Sequence, residues 1–142
     1  MPAMSEAEWK AFIAAGTRTA RLATTRADGR PHVVPVWFVL DGDDLIFTTG
    51  EKTVKGRNLQ RDARVALCVD DDAPPFAYVM IEGTARLEHA APDLLAWSTR
   101  IASRYMGAEQ GDAYGKRNAV PGEMLVRVTP VHVIAENDIA GW

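Results

Sequence analysis

A short basic segment is the part of this sequence whose residue types and spacing suit the binding of a charged ligand. The segment GEKTVKGRNL, residues 50–59, places Lys52, Lys55 and Arg57 within six positions, directly after the apolar run DLIFTT. Three hydroxyl groups lie in or directly before this segment, on Thr48, Thr49 and Thr53. Main-chain N–H groups at a helix start, together with lysine and arginine side chains, are typical of a phosphate site. Local chemistry alone predicts a phosphate site and an ordinary solvated helix start about equally.

The spacing within this segment makes two further predictions. If a helix begins near Glu51, Lys52 and Lys55 share one helical face, because they are three positions apart. Gly56 lies inside the expected helix, where glycine costs about 1 kcal/mol relative to alanine. A glycine there indicates that another part of the molecule approaches closely.

The overall charge narrows the class of ligand. The chain has 142 residues and a net charge of -3, so a basic cluster against this background favours a small anion over nucleic acid or an anionic membrane. The longest apolar run, Val33 to Leu40, is too short to span a bilayer as a helix. The N-terminus lacks the pattern of a signal peptide. We therefore predict a cytoplasmic protein with a small-molecule substrate.

Other chemistry-bearing residues are scattered along the chain. Phosphate-binding loops, dinucleotide-binding glycine motifs and the nucleophile elbow of hydrolases are missing from the sequence. The histidines at positions 32, 89 and 132 lack the spacing of metal ligands, so no metal is predicted. His32 is of most interest, since it begins a strand that is apolar on both faces. Cys68 lies in the segment VALCV and is predicted to be a buried core thiol.

The elements that must position the basic segment are mostly strands. Ser5 and Glu8 predict a capping box for an N-terminal helix. The Asp-Gly pairs at 28–29 and 41–42 predict a three-strand antiparallel meander. Further strands are predicted in ARVALCVD, in FAYVMIEGTARLE with a bend at Gly83, and as a pair interrupted at Pro130. A helix follows Pro92, and residues 107–122 are predicted to be a long loop.

These elements indicate a mainly β protein with helices, of the α+β class. Six or seven antiparallel strands with two or three helices predict a small closed or half-closed barrel, as one domain over residues 1–142. Four alternate side chains of the run VVPVWFVL are predicted to fill the barrel: Val34, Val36, Phe38 and Leu40. The outward positions are also apolar, which indicates that this outer face is buried against a helix or a second subunit. We therefore predict a homodimer.

The order of these segments resembles the flavin-binding split-barrel superfamily, the proteins similar to pyridoxamine 5'-phosphate oxidase. The resemblance rests on DGRPHVVPVWF, on the pattern K-x-x-K-G-R-N-L-x-R-D-x-R-V and on IEGTARL, in that order from about Thr19 to Leu87. The K-G-R-N-L-x-R-D form and the short chain are most similar to the branch that uses the deazaflavin coenzyme F420 in place of FMN. The resemblance implies an antiparallel split β-barrel and a homodimer with cofactor sites at its interface.

The resemblance also implies which residues bind the cofactor. Pro35, Val36 and Trp37 would lie along the deazaflavin ring, and Trp37 would narrow the substrate pocket or only pack. Thr48 and Thr49 would face the ribityl chain or the phosphate. Five residues would surround the phosphate and the charged tail: Lys52, Thr53, Lys55, Arg57 and Asn58. Two aromatic residues would reach the cofactor from the other subunit: Phe76 and Tyr78.

The activity implied is hydride transfer from reduced F420 to an electron-poor double bond of an enone, a quinone or a tetrapyrrole-like molecule. Two alternatives on the same fold are an FMN-dependent oxidoreductase and a non-enzymatic carrier of the cofactor. No catalytic side chain is required by the motifs, and His32 and Tyr78 are the candidates for supplying a proton. With the resemblance, the basic segment is predicted to be a phosphate site.

Overall fold

A computed structural model describes residues 3–141 as seven strands and four helices. The helices are α1 (Glu6–Ala14), α2 (Val54–Arg61), α3 (Leu94–Met106) and α4 (Ala108–Asn118). The strands are β1 (Ala20–Thr25), β2 (Pro31–Val36), β3 (Val39–Asp41), β4 (Asp44–Gly50), β5 (Arg64–Asp71), β6 (Ala77–Glu88) and β7 (Glu123–Glu136). The predicted α+β class is confirmed, with one helix more than expected. Within the described range, no helix is both long and apolar enough to cross a membrane.

The strands form one antiparallel sheet whose two edges are neighbours in the sequence. The order across the sheet is β2-β1-β5-β6-β7-β4-β3. Strands β2 and β3 therefore lie at opposite edges, although only Trp37 and Phe38 separate them. Three residue steps span at most about 11 Å, so the sheet must curl until its edges approach each other. This curling agrees with the predicted half-closed barrel.

The predicted three-strand meander is wrong in its middle strand, which is divided into β2 and β3 at opposite edges of the sheet. The hairpins β1–β2 and β3–β4 both form, but β2 does not pair with β3. The Phe38 N–H donates to the Tyr105 hydroxyl of α3 at 3.2 Å instead of to a neighbouring strand. The Trp37 ring stacks on the Tyr105 ring, with centroids 5.0 Å apart. The contact with α3, which is distant in the sequence, thus divides an apolar run that the local pattern predicts to be one strand.

Alternate side chains of the strands fill the inside of the barrel. Val36 and Phe38 are buried, as predicted, and Val34 and Leu40 are half-buried. Helix α1, which begins with the predicted capping box, contributes buried apolar side chains to the same core. Cys68 is partly exposed on the outer face, because its neighbours in β5 take the inward positions. The prediction of a buried core thiol is therefore wrong.

Residues 107–122 contain helix α4 rather than the predicted long loop. Helix α4 packs closely on α3 at two glycines. A Cβ atom would lie 2.0 Å from Ser103 Oγ at Gly111 and 2.3 Å from Thr99 Oγ1 at Gly115. The glycines that indicated a loop are therefore contact points between two helices. Helix α3 in turn covers the outer face of β4 and β7, where Trp97 packs on Ile46 and Leu125.

The last strand is continuous, so the predicted pair interrupted at Pro130 is wrong. The register between β6 and β7 shifts at Glu82 and Gly83, which face His132 and Pro130. The extra residue is Val131, which is 75% exposed. A bulge tolerates a proline because one residue leaves the hydrogen-bonding ladder there. This register shift coincides with the bend predicted at Gly83, where a Cβ atom would lie 2.8 Å from the Thr129 carbonyl oxygen.

Candidate functional site

One groove brings together five of the residues predicted to bind the cofactor. It has a volume of about 260 Å³, lies at the end of β2 and is hereafter the β2–β4 groove. Its predicted lining residues are Pro35, Val36, Trp37, Thr48 and Lys55. Three residues that sequence reasoning missed complete the lining: Ile101 of α3, Asn118 at the end of α4 and Glu123 at the start of β7.

A second cavity adjoins this groove. It has a volume of about 580 Å³ and is hereafter the Lys52 pocket. It is lined by Gly50, Glu51, Lys52, Thr53, Val120, Pro121, Gly122 and Glu123. Glu123 is the residue that lines both cavities. An elongated ligand that occupied both would therefore pass beside this carboxylate.

The start of α2 is fixed by a threonine cap. Thr53 Oγ1 accepts a hydrogen bond from the Gly56 N–H at 3.0 Å and donates one to the Gly50 carbonyl at 2.9 Å. The helix therefore begins at Val54 instead of near Glu51, and the prediction that Lys52 and Lys55 share a helical face is wrong. The N–H groups of Val54 and Lys55 have no acceptor within the helix, as in the first turn of any helix.

The segment before α2 is held by the rest of the fold. The Glu51 N–H donates to the Gly122 carbonyl at 2.8 Å, and Gln60 Nε2 donates to the Glu51 carbonyl at 2.8 Å. A Cβ atom at Gly56 would lie 2.0 Å from the Gly50 carbonyl oxygen, which confirms the predicted close approach. The basic segment is therefore preorganised.

Three of the predicted polar ligands, Thr49, Thr53 and Asn58, use their side chains in hydrogen bonds to other residues of the protein. Thr49 is only 2% exposed, and its hydroxyl lies 3.0 Å from the Thr53 hydroxyl. Asn58 is 3% exposed and donates through Nδ2 to Thr24 Oγ1 at 3.0 Å, which joins α2 to β1. These side chains position the basic segment. Thr48 is the predicted hydroxyl that lines the groove.

The basic side chains differ in placement. Lys55 lines the groove, Lys52 lines the adjoining pocket, and Arg57 is exposed and lines neither. Among residues 3–141, none of the three makes an ion pair within 4.0 Å. Burial raises the pKa of the Glu123 carboxyl, while a hydrogen bond from Thr48 and the charge of Lys55 act in the opposite direction. The groove thus holds a carboxylate beside its lysine.

One side of the groove is a stacked aromatic pair. Trp37 lines the groove and its ring is nearly parallel to that of Tyr105, at an angle of 9°. The Tyr105 hydroxyl donates to the Arg18 carbonyl at 2.8 Å, and burial raises its pKa. The stack therefore fixes the Trp37 ring against α3, where it narrows the groove as well as packing.

The remaining predicted residues lie outside the groove of the same chain. Phe76 lines a separate depression beside α1, and Tyr78 lies on the outer face of β6. Partial desolvation, followed by the Glu136 carboxylate, raises the pKa of Tyr78. His32 lies four positions before Val36, and its Nδ1 atom is buried without a hydrogen-bond partner in the described part of the chain. Residues 3–141 contain no cluster of three acidic, histidine or cysteine side chains placed to hold a metal.

The structure is an antiparallel barrel with a groove beside the edge strand β2, and a comparison of the sequence with protein families identifies its family. Residues 5–136 match the pyridoxamine 5'-phosphate oxidase family, which covers most of the chain. The chain therefore belongs to this family, and the resemblance stated from the sequence motifs is confirmed.

Three similar proteins extend this comparison. A 5a,11a-dehydrotetracycline/5a,11a-dehydrooxytetracycline reductase of Streptomyces rimosus subsp. rimosus is 42% identical over 74 residues, 46% of this chain and 52% of that protein. The match thus spans about half the length of this curated relative. The structure of the conserved hypothetical protein Rv2991 from Mycobacterium tuberculosis has a TM-score of 0.82 and 28% identity, over 95% of this chain and 86% of that one. An F420 reductase has a TM-score of 0.69 and 28% identity, over 87% of this chain and 94% of that one.

Proposed function

We propose that this protein is an F420-dependent oxidoreductase, which transfers a hydride from the reduced deazaflavin to an electron-poor double bond of a small organic substrate. The substrate class is an enone, a quinone or a tetrapyrrole-like molecule. The observation that carries the proposal is the β2–β4 groove, where a strand edge, a hydroxyl and a lysine line one cavity that continues into the Lys52 pocket. Similarity to an F420 reductase and to a dehydrotetracycline reductase supports the same activity.

The residues of the groove suit a planar ring at one end. Strand β2 is an edge strand that pairs only with β1, so one row of its main-chain groups has no strand partner. Pro35 has no N–H and offers only its carbonyl, whereas Trp37, which follows the last paired residue of β2, has both groups. The polar edge of a ring can bind these groups. A bound reduced deazaflavin supplies the hydride, and the role of the chain is to hold and orient it.

The residues at the other end suit an anion. Lys55 and the first N–H groups of α2 provide positive charge and donors for a phosphate. Lys52 provides a cation for an acidic tail in the adjoining pocket. The stacked Trp37 ring limits the space beside the ring of the ligand and so excludes water and restricts substrate size. Neither His32 nor Tyr78 lines this groove, so a proton from a water molecule is the simplest supply for the substrate.

Titration calorimetry of the purified protein with F420 and with FMN tests this proposal. We expect F420 to bind at micromolar concentration or below and FMN to bind more weakly. Failure to bind F420 in that range would refute the proposal. The colour of protein produced in a host that makes FMN but not F420 gives an independent check, because a yellow preparation would favour the FMN-dependent alternative.

We also propose that two copies form a homodimer through the outer face of β2, β1, β5, β6 and β7. Apolar residues are exposed on this face, including Val33 at 63%, Ile134 at 37% and the bulge residue Val131 at 75%. A depression of about 630 Å³ also lies on this face rather than at the groove. An antiparallel sheet with an apolar outer face requires cover. A second copy would supply it, and would also bring its Phe76 and Tyr78 toward the groove.

A mixing experiment tests the dimer and the shared site together. Lys55→Ala and Phe76→Ala chains are each expected to bind F420 weakly alone. If Lys55 and Phe76 of different chains meet at one site, exchange of subunits in an equal mixture restores about a quarter of the sites. Recovery of no sites, or a monomeric mass by sedimentation, would contradict the shared site.

A further inference from the structure

We propose that Glu123 makes the site selective for a ligand whose phosphate carries a single negative charge, and that it disfavours a terminal phosphomonoester. This inference rests on the proposed function, because it concerns the same groove. It assigns a selecting role to a residue that no motif of the sequence indicated.

The position of Glu123 supports this role. It lines both the β2–β4 groove and the Lys52 pocket, so a ligand that extends through both passes its carboxylate. Thr48 of β4 and Lys55 of α2 line the same groove, and both act to lower the pKa of the Glu123 carboxyl. The Glu123 side chain would also lie 3.6 Å from a Cβ atom at Gly50. The carboxylate is therefore held at the phosphate end of the groove.

The charges around this carboxylate nearly balance. Lys55 from α2 and Lys52 from the preceding segment are positive, while Glu123 from β7 and Glu51 are negative. The groups that face Glu123 from α3 and α4, Ile101 and Asn118, are uncharged. A site built only for strong anion binding would leave its cations uncompensated. Here Glu123 offsets part of the attraction that Lys55 and the helix start provide.

This balance distinguishes two phosphates that are otherwise similar. The phosphate of F420 is a diester with one negative charge, and the acidic groups of its tail lie beyond it. FMN ends in a monoester, which is close to doubly charged above pH 7. Each additional negative charge near an ionised carboxylate costs binding energy, by an amount that falls with distance and solvent screening. Glu123 therefore penalises FMN more than F420.

The test is a comparison of four ligands on wild-type protein and Glu123→Gln at pH 8. The ligands are F420, its phosphate-free deazaflavin core, FMN and riboflavin. We expect Glu123→Gln to strengthen FMN binding about tenfold and F420 binding by about threefold or less. The two phosphate-free ligands should bind as they do to wild type. Glu123→Asp keeps the charge and should keep the wild-type ratio of FMN to F420 affinity, and Glu109→Gln, an exposed change on α4, should alter nothing.

Two results would overturn the inference without affecting the proposed function. F420 binding with an unchanged FMN to F420 ratio in Glu123→Gln would show that the carboxylate does not select by charge. Equal weakening of all four ligands would show that Glu123 accepts hydrogen bonds from the ribityl hydroxyls instead. If none of the four ligands binds either protein, the proposed function fails, and this inference fails with it.

Discussion

The C-terminus of α1 and the N-terminus of α2 both gather basic side chains, but they use them in opposite ways. At the end of α1, Arg104 donates to the carbonyls of Ile13 at 2.8 Å, Gly16 at 3.0 Å and Phe38 at 2.6 Å. At the start of α2, Lys52 and Lys55 precede or occupy the first turn, and the first turn itself contains no acidic residue. The carbonyl groups at the end of α1 are therefore hydrogen-bonded, whereas the first N–H groups of α2 have no acceptor within the helix.

The helix dipole gives the two termini different affinities for charge. A cation at a helix C-terminus is stabilising, and one at an N-terminus is unfavourable, because the helix dipole is positive there. Helix α1 follows the favourable pattern at its own start, with Glu6 and Glu8 in its first turn. Helix α2 reverses this pattern. The reversal costs stability in the free protein and is offset when an anion binds, so it marks a ligand site more clearly than the number of basic residues does.

The largest effect is expected from breaking the start of α2. Gly56→Ala places a Cβ atom 2.0 Å from the Gly50 carbonyl oxygen, so α2 must move away from β4. We expect a loss of at least about 3 kcal/mol in the free energy of unfolding, measured by urea denaturation. Val54→Ala, an exposed change in the same turn, is the control and should stay within about 0.5 kcal/mol of wild type. A stable Gly56→Ala protein would show that this contact is not required.

Breaking the end of α1 should have the next largest effect. Arg104→Ala removes the Arg104 donor from the carbonyls of Ile13, Gly16 and Phe38, and we expect a loss of about 2 kcal/mol in the free energy of unfolding. Arg100→Ala, which removes an exposed arginine stacked on Trp97, should cost under about 1 kcal/mol. If the two variants have the same free energy of unfolding, the hydrogen bonds of Arg104 do not contribute the stability assigned to them.

Lys55→Ala should weaken ligand binding without lowering the stability of the protein. We expect F420 affinity to fall about tenfold, equivalent to roughly 1.4 kcal/mol, when measured by calorimetry. The free energy of unfolding should stay unchanged or rise slightly, since a cation is removed from a helix N-terminus. Lys116→Ala on α4 is the matched control. Unchanged F420 affinity in Lys55→Ala would contradict the phosphate assignment.

The smallest effect concerns the pH dependence of stability. Burial raises the pKa of Glu123 above its ordinary value of 4.5, so the folded state binds this proton more tightly than the unfolded state does. The resulting stability is present below pH 4.5 and is lost as the pH rises through the raised pKa. Glu123→Gln should therefore gain stability relative to wild type between pH 4.5 and neutrality. Unfolding curves of both proteins across this range, without ligand, would show a constant difference if the prediction is wrong.

The sequence predicted what short-range patterns encode. Alternation gave the strands and the inward positions of Val36 and Phe38, and the capping box gave the start of α1. It also indicated the close contact at Gly56. These features depend on neighbours within a few positions, so they can be read without knowing the fold.

The failures share a different cause. The break in the strand after Val36 depends on the contact with Tyr105. The local pattern predicts Gly111 and Gly115 to be loop residues, and only the packing of α3 against them explains why they are glycines in a helix. Glu123 enters the groove because β7 pairs with β4, far away in the sequence. Such contacts have no local signature. Glu123 is recognisable locally only as a charged residue at the start of a strand, and its place beside the basic segment follows from its pairing with Gly50.

The pairing of β4 with β7 has a consequence for how the protein is made. Leu45 pairs with Val128 and Thr48 pairs with Leu125. Strand β4 therefore cannot pair with β7 until the ribosome has added about eighty more residues. Until then its only strand partner is the three-residue β3. Thr48 and Lys55 are therefore synthesised early, but Glu123 and Asn118 join them only when most of the chain has emerged. The proposed ligand can therefore bind this groove only late in synthesis, and truncation before β7 should abolish its binding even if the earlier strands associate.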